Sequence, residues 1–145
     1  MAITLSHATT IVDAALEKAR ETGCAPLAVA VLDEGGHLKA FAREDGAGIL
    51  RPQIAFGKAW GALGMGLGSR NFAKRIAEQP GAPSFFNALA AMSEGRVVPV
   101  PGGVLIRDAS KAVIGAVGIS GDTSDKDEAC ALAGIQAAGL TGDPG

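Results

Sequence analysis

The chain has no tyrosine, one tryptophan, two cysteines and two histidines among its 145 residues. The scarcity of sulfur and imidazole restricts metal chemistry from the outset. Cys24 and Cys130 form neither a CxxC nor any other metal-ligand spacing, and His7 and His37 stand alone outside any cluster. The two cysteines read as small buried apolar residues, kept reduced in a cytoplasmic chain. No run of lysine or arginine is present, and thirteen Lys+Arg against fifteen Asp+Glu leave a net charge of -2, which argues against nucleic acid or an anionic membrane as a partner. No apolar stretch reaches the roughly 18 residues a membrane span needs. Asp13, Glu17, Lys18 and Arg20 fall where a signal peptide would be apolar. GxSxG, HExxH and Walker sequences are absent, which removes the serine hydrolases and zinc peptidases. The lone GMGLG follows a helical pattern instead of a strand, so it is no dinucleotide fingerprint.

What is present is a globular composition, 48% hydrophobic and 19% charged, at a length suited to a single domain over residues 1–145. Leu5, Ala8, Ile11, Val12, Ala15, Leu16 and Ala19 recur at helical spacing, with Ser6 as the expected cap and Gly23 as the stop. Pro26 to Arg43 reads as a hairpin turning at Gly35-Gly36. A helix follows over Arg51 to Met65, carrying Gly57, Gly61 and Gly64 along one side. Each such glycine costs about 1 kcal/mol against alanine, so close approach of a backbone or ligand is expected there. Ser69 is the expected cap of a short helix, and Pro83 opens another. VLIRD and AVIGAVGIS form a second hairpin, a helix covers about Lys126 to Leu140, and the last five residues, TGDPG, read as a frayed tail. Helix, hairpin, helices, hairpin, helix is the order of an α+β layered domain.

PLAVAVLDEGGHLKAFAREDGA, a helix containing KA, then VPVPGGVLIRD and VIGAVGISGDTSDKDEACALAGI together resemble the GlcG/HbpS family of haem-binding proteins, which is also similar to the C-terminal domain of PduO-type proteins. The likeness runs from about Ala8 to Leu140. It implies a profilin-like fold with a five-stranded antiparallel sheet, homo-oligomers such as tetramers or octamers, and haem or a related compound as ligand. It also implies an association with catabolic pathways. ILRPQIAFGKAWGALGMGLGSRNF departs from the haem-binding members, and its arginines look like a provision for an anion.

Haem ligands are few, since His7 reads as a surface residue, His37 points to solvent or into a neighbouring subunit, and Met65 and Met92 read as core. Arg51 and Arg70 each stand at a helix start behind a Gly-containing loop, where orphan N–H groups already favour an anion. The two guanidiniums, with Ser69 and Ser120 beside them, can hold one carboxylate; the alternative is that each pairs with a nearby Asp or Glu. Lys58, two helical turns past Arg51, becomes an acid or base if burial lowers its pKa. Asp122 either caps the final helix or presents a carboxylate at a strand end. Three functions follow. One is an oligomeric cytoplasmic protein binding haem or a related carboxylate-bearing ligand; the second is a cofactor-independent isomerase, tautomerase or lyase acting on a small carboxylic acid; the third is a regulatory subunit without a ligand. Phe85-Phe86, Trp60 and the Ala/Gly faces leave apolar surface that self-association would cover.

Overall fold

The computed structural model describes residues 1–145. Helix α1 (Leu5–Glu21) is followed by the hairpin β1 (Ala28–Asp33) and β2 (Leu38–Arg43). Three helices come next, α2 (Arg51–Met65), α3 (Arg70–Glu78) and α4 (Ala82–Met92), then the hairpin β3 (Gly103–Arg107) and β4 (Val113–Ser120), α5 (Ser124–Ala137) and β5 (Thr141–Asp143). The five strands make one sheet in the order β2-β1-β4-β3-β5, antiparallel throughout. This is the α+β architecture expected.

Side-chain alternation divides the sheet into two unlike faces. Val29, Val31, Val104, Ile106, Val117 and Ile119 point one way and form the main core with α1 and α5. The opposite face is built from small residues, Ala28, Ala30, Gly103, Ala116 and Gly118, with Leu32 and Leu105 at its far end. Helix α2 lies on it nearly backbone to backbone. A methyl group at Gly118 would come within 1.8 Å of Ala55 O, and one at Gly103 within 2.2 Å of Lys58 O; the two glycines are register partners. The helix side expected to be tightly packed is so at Gly57, against Val98, and at Gly61, against Val97, but Gly64 faces open space. Phe72, Phe86 and Val97 form a smaller cluster that holds α3 and α4 beside α2.

Three local expectations need correction. The cap of α1 is Thr4, not Ser6: Thr4 Oγ1 accepts from His7 N at 3.0 Å and His7 Nδ1 accepts from Thr4 N at 3.4 Å, a reciprocal capping box. The C-terminal residues are not frayed. Thr141–Asp143 pairs with β3, whose outer edge would otherwise leave its backbone groups unbonded, and Arg107 clamps Asp143 with Nη2 2.9 Å from Oδ2. Met92 is exposed at the end of α4, whereas Met65 packs on the Phe72 cluster as expected of a core residue.

Gly118→Ala should lower stability by about 3 kcal/mol or more, since backbone, not a movable side chain, meets the new methyl. Gly64→Ala should raise it by about 0.5–1 kcal/mol through helix propensity alone. Urea unfolding of the two variants beside the parent checks both signs.

Candidate functional site

Lys58 is the largest of the fully buried side chains, with 2% of its surface exposed. It leaves α2 beneath the start of β3, where Gly102 (φ +120°) leaves room that a Cβ would take from its Nζ. Ile119 N donates to Gly102 O, but the reciprocal bond of an antiparallel pair is missing. Lys58 Nζ donates to Ile119 O instead, at 2.8 Å, and to Asp127 Oδ2 at 3.0 Å. The other oxygen of Asp127 accepts from Asp122 N. Helix α2 on one face of the sheet is thus tied to α5 on the other, around the sheet's end. Burial, reinforced by the Arg51 charge and opposed by Asp127, draws the Lys58 ammonium below its ordinary range; burial likewise holds Asp127 above the usual carboxylate range, against the pull of Lys58. The burial that an acid or base role requires is therefore present, but access to a ligand is not.

The two arginines do not share an anion in this structure. Arg70 is occupied by the first turn of α5: Nε donates to Glu128 Oε2 at 2.8 Å and Nη2 to Asp125 Oδ1. These carboxylates hold its already high pKa still higher. Arg51 donates through Nη1 to Ser120 Oγ at 3.2 Å and lends positive charge to Asp122 and Asp127. Arg70 therefore makes the carboxylate pairing weighed as the alternative, whereas Arg51 forms no ion pair and bonds to Ser120 alone.

The remaining predicted residues also bond within the chain. Ser69 stands at the N-cap position of α3 but makes no cap bond; it is fully buried, its Oγ donating to Val100 O at 2.6 Å and accepting from Gly103 N at 2.8 Å. Ser120 is equally buried under Arg51. Asp122 does not cap α5, because Thr123 does. Its carboxylate accepts from Ala25 N and Thr123 N, each at 2.7 Å, and these two donors hold it below the usual carboxylate range.

An apolar concave site lies elsewhere, on the α2 side of the sheet. A cleft of about 440 Å³ opens between β2 and the first half of α2, with Ala30 as floor, Leu38, Phe41, Pro52 and Phe56 as apolar walls, and Gln53, Glu94 and Arg96 as its polar groups. Leu38 and Phe41 are 55% and 41% exposed, because β2 is the sheet's edge strand and no element of this chain covers them. Glu94 adopts φ +57°, a left-handed conformation unusual for a residue with a side chain, in the turn that delivers Arg96. The Arg96 guanidinium stacks 4.4 Å from the centroid of the Trp60 ring and its Nε donates to Ser93 O at 2.8 Å, two contacts that fix it at the rim. No sequence signal marked Arg96 or Glu94. Leu38 and Phe41 were visible as apolar residues of a hairpin, though not as unpartnered ones.

The family model for haem-degrading HbpS-like proteins matches residues 3–136. The chain belongs to the HbpS-like family. Among its relatives is an uncharacterised 15.0 kDa protein of the dhaT–dhaS intergenic region of Citrobacter freundii, 33% identical over 125 residues, covering 86% of this chain and 84% of that one. Among solved structures, PduOC in its haem complex superposes with a TM-score of 0.85 at 26% identity over 97% of both chains. The Klebsiella pneumoniae protein ORFY, of the DUF336 family, does so with a TM-score of 0.82 at 29% identity over 94% of this chain and 90% of that one. In this HbpS-like chain, no helix is long and apolar enough to cross a membrane.

Lys58→Met should cost about 3–5 kcal/mol by stranding the buried Asp127 charge, and Lys58→Met with Asp127→Leu should recover most of that loss. Chemical denaturation of the single and double variants gives the comparison. Asp122 supplies a pH test. Its native pKa lies below the unfolded value of about 3.9, so its contribution is present above that pH and disappears as pH falls through the native value. Asp122→Asn should therefore flatten the acid limb of a melting-temperature profile below about pH 4; an unchanged limb would show that the carboxylate contributes nothing to it.

Proposed function

We propose that this HbpS-like chain is a small-molecule-binding protein of the cytoplasm. It takes a flat, largely apolar, carboxylate-bearing ligand of the haem class into the cleft between β2 and α2, and does so as a homo-oligomer. The observation that carries this reading is the cleft itself. Its volume lies in the range of ligand sites, its walls suit the face of a ring system, and Arg96 at the rim is the one cation placed to receive a carboxylate. The likeness to PduOC, whose structure contains haem, supports the ligand class.

Self-association is supported by the apolar residues around the cleft mouth. Ile49 and Leu50, in the turn before α2, are 89% and 64% exposed, and with Leu38 and Phe41 they leave uncovered a side that a second copy would close. The cytoplasm is supported by Cys24 and Cys130, which are free and buried, with burial and the neighbouring Cys24 pushing the Cys130 thiol up to about 12.

Trp60, the only tryptophan, reports on the site because Arg96 stacks upon it. Titration with haemin should quench its emission saturably. Arg96→Ala should weaken binding by about 1.5–3 kcal/mol, the worth of a charged hydrogen bond, and Phe41→Ala should weaken it as well. If Arg51→Ala or Arg70→Ala costs more affinity than Arg96→Ala, the carboxylate sits at the helix starts and the cleft assignment is wrong.

A further inference from the structure

The residues of the cleft fit the ring and carboxylates of a haem-class ligand but do not fit its iron. Haem iron is held by imidazole, thiolate, thioether or phenolate. The cleft offers an amide, a carboxylate and a guanidinium, from Gln53, Glu94 and Arg96, and none of those four donor types lines it.

Each donor of the right kind in this chain is placed elsewhere. His7 is at the start of α1, which packs on the opposite face of the sheet, and its Nδ1 is used in the capping box. His37, on the β1–β2 turn, lines a separate hollow with Lys39, Ile3 and Ile114, and its Nδ1 sits 3.3 Å from Asp33 Oδ1. Cys24 and Cys130 are buried in the core under α1 and α5. Met65 packs among the aromatic rings of the α3–α4 cluster; Met92 is exposed two residues before Glu94, Met1 is exposed with its amino group on Asp108, and neither lines the cleft.

We infer that the cleft holds its ligand by ring contacts and by the carboxylate–Arg96 pair, without a bond to metal, so that a metal-free tetrapyrrole is as good a ligand as an iron one. This rests on the cleft being the binding site. The chemical reason is additive: the apolar walls contact the macrocycle and Arg96 the carboxylate, and both are the same whether or not the ring centre carries a metal. The ligand class accordingly widens from haem to flat or folded tetrapyrrole carboxylates, including the metal-free precursors and products of iron insertion and removal.

The test compares haemin with protoporphyrin IX on the full chain, each followed by Trp60 quenching. The two dissociation constants should agree within about threefold, where an iron–protein bond would separate them by about tenfold or more. The haemin complex should show a high-spin ferric absorption spectrum, and His7→Ala, His37→Ala and Met92→Leu should leave both constants unchanged. Haemin binding at least about tenfold tighter than protoporphyrin, with one of these substitutions abolishing the difference, overturns the inference by showing an axial ligand brought by another copy of the chain. Saturable binding of haemin alone also overturns it, and the cleft stands as the site in that case only if Arg96→Ala and Phe41→Ala weaken the haemin binding. Saturable binding of neither removes both readings.

Discussion

Helix α2 rests its backbone on the sheet because the strands beneath it carry glycine and alanine, and the other features of the molecule take their positions from that approach. With Gly103 and Gly118 side by side across β3 and β4, the carbonyls of Ala55 and Lys58 reach distances that no Cβ would permit. The Lys58 side chain, thus low against the sheet, has one direction open to it, past Gly102 and around the sheet's end to Asp127. The same approach brings Pro52 and Phe56 down beside β2, so that a floor as small as Ala30 leaves a cleft instead of a filled core. Where the strands carry larger residues on that face, at Leu32 and Leu105, the space is filled and the cleft ends.

The electrostatics of the chain concentrate at the start of α5. Asp122, Asp125, Asp127 and Glu128 surround a helix N-terminus, which favours them, and Lys58, Arg51 and Arg70 neutralise them from three sides. A buried pair such as Lys58–Asp127 adds little net stability, because removing both charges from water offsets most of their attraction. Its consequence is geometric. It ties α2 both to Ile119 O in the sheet and to Asp127 on α5.

Much of this fold was legible in residue patterns. Arg51–Met65 reads as a helix from Pro52 and its inward alanines, the two hairpins from their β-branched runs, the first with a Gly-Gly turn and the second with the polar link DASK, and the family from motifs along nearly the whole chain. The strand β5 was not legible, because TGDPG has neither alternation nor β-branched apolar residues; it pairs because β3 offers a free edge and Arg107 a charge. The candidate site misled for a comparable reason. An arginine at a helix start signals an anion, yet nothing local says whether that anion is a ligand or a carboxylate 58 residues further on, as Glu128 is for Arg70. Burial of Lys58 was legible as a possibility from the glycines around it, whereas the closure of every path to it depends on how α5 returns over the sheet. Arg96 acquires its meaning only when the chain brings it over Trp60, a contact between a loop and a helix that no periodicity encodes.

The central claim is that the small-residue face of the sheet exists to leave a ligand cleft beside α2, and a crystal structure of the chain grown with protoporphyrin IX tests it most directly. The account predicts a macrocycle between Phe41 and Phe56 with a carboxylate on Arg96 and the Lys58–Asp127 pair intact beneath. A macrocycle seated against His37, or at the start of α5 with Arg51 and Arg70 drawn away from their carboxylates, would contradict it.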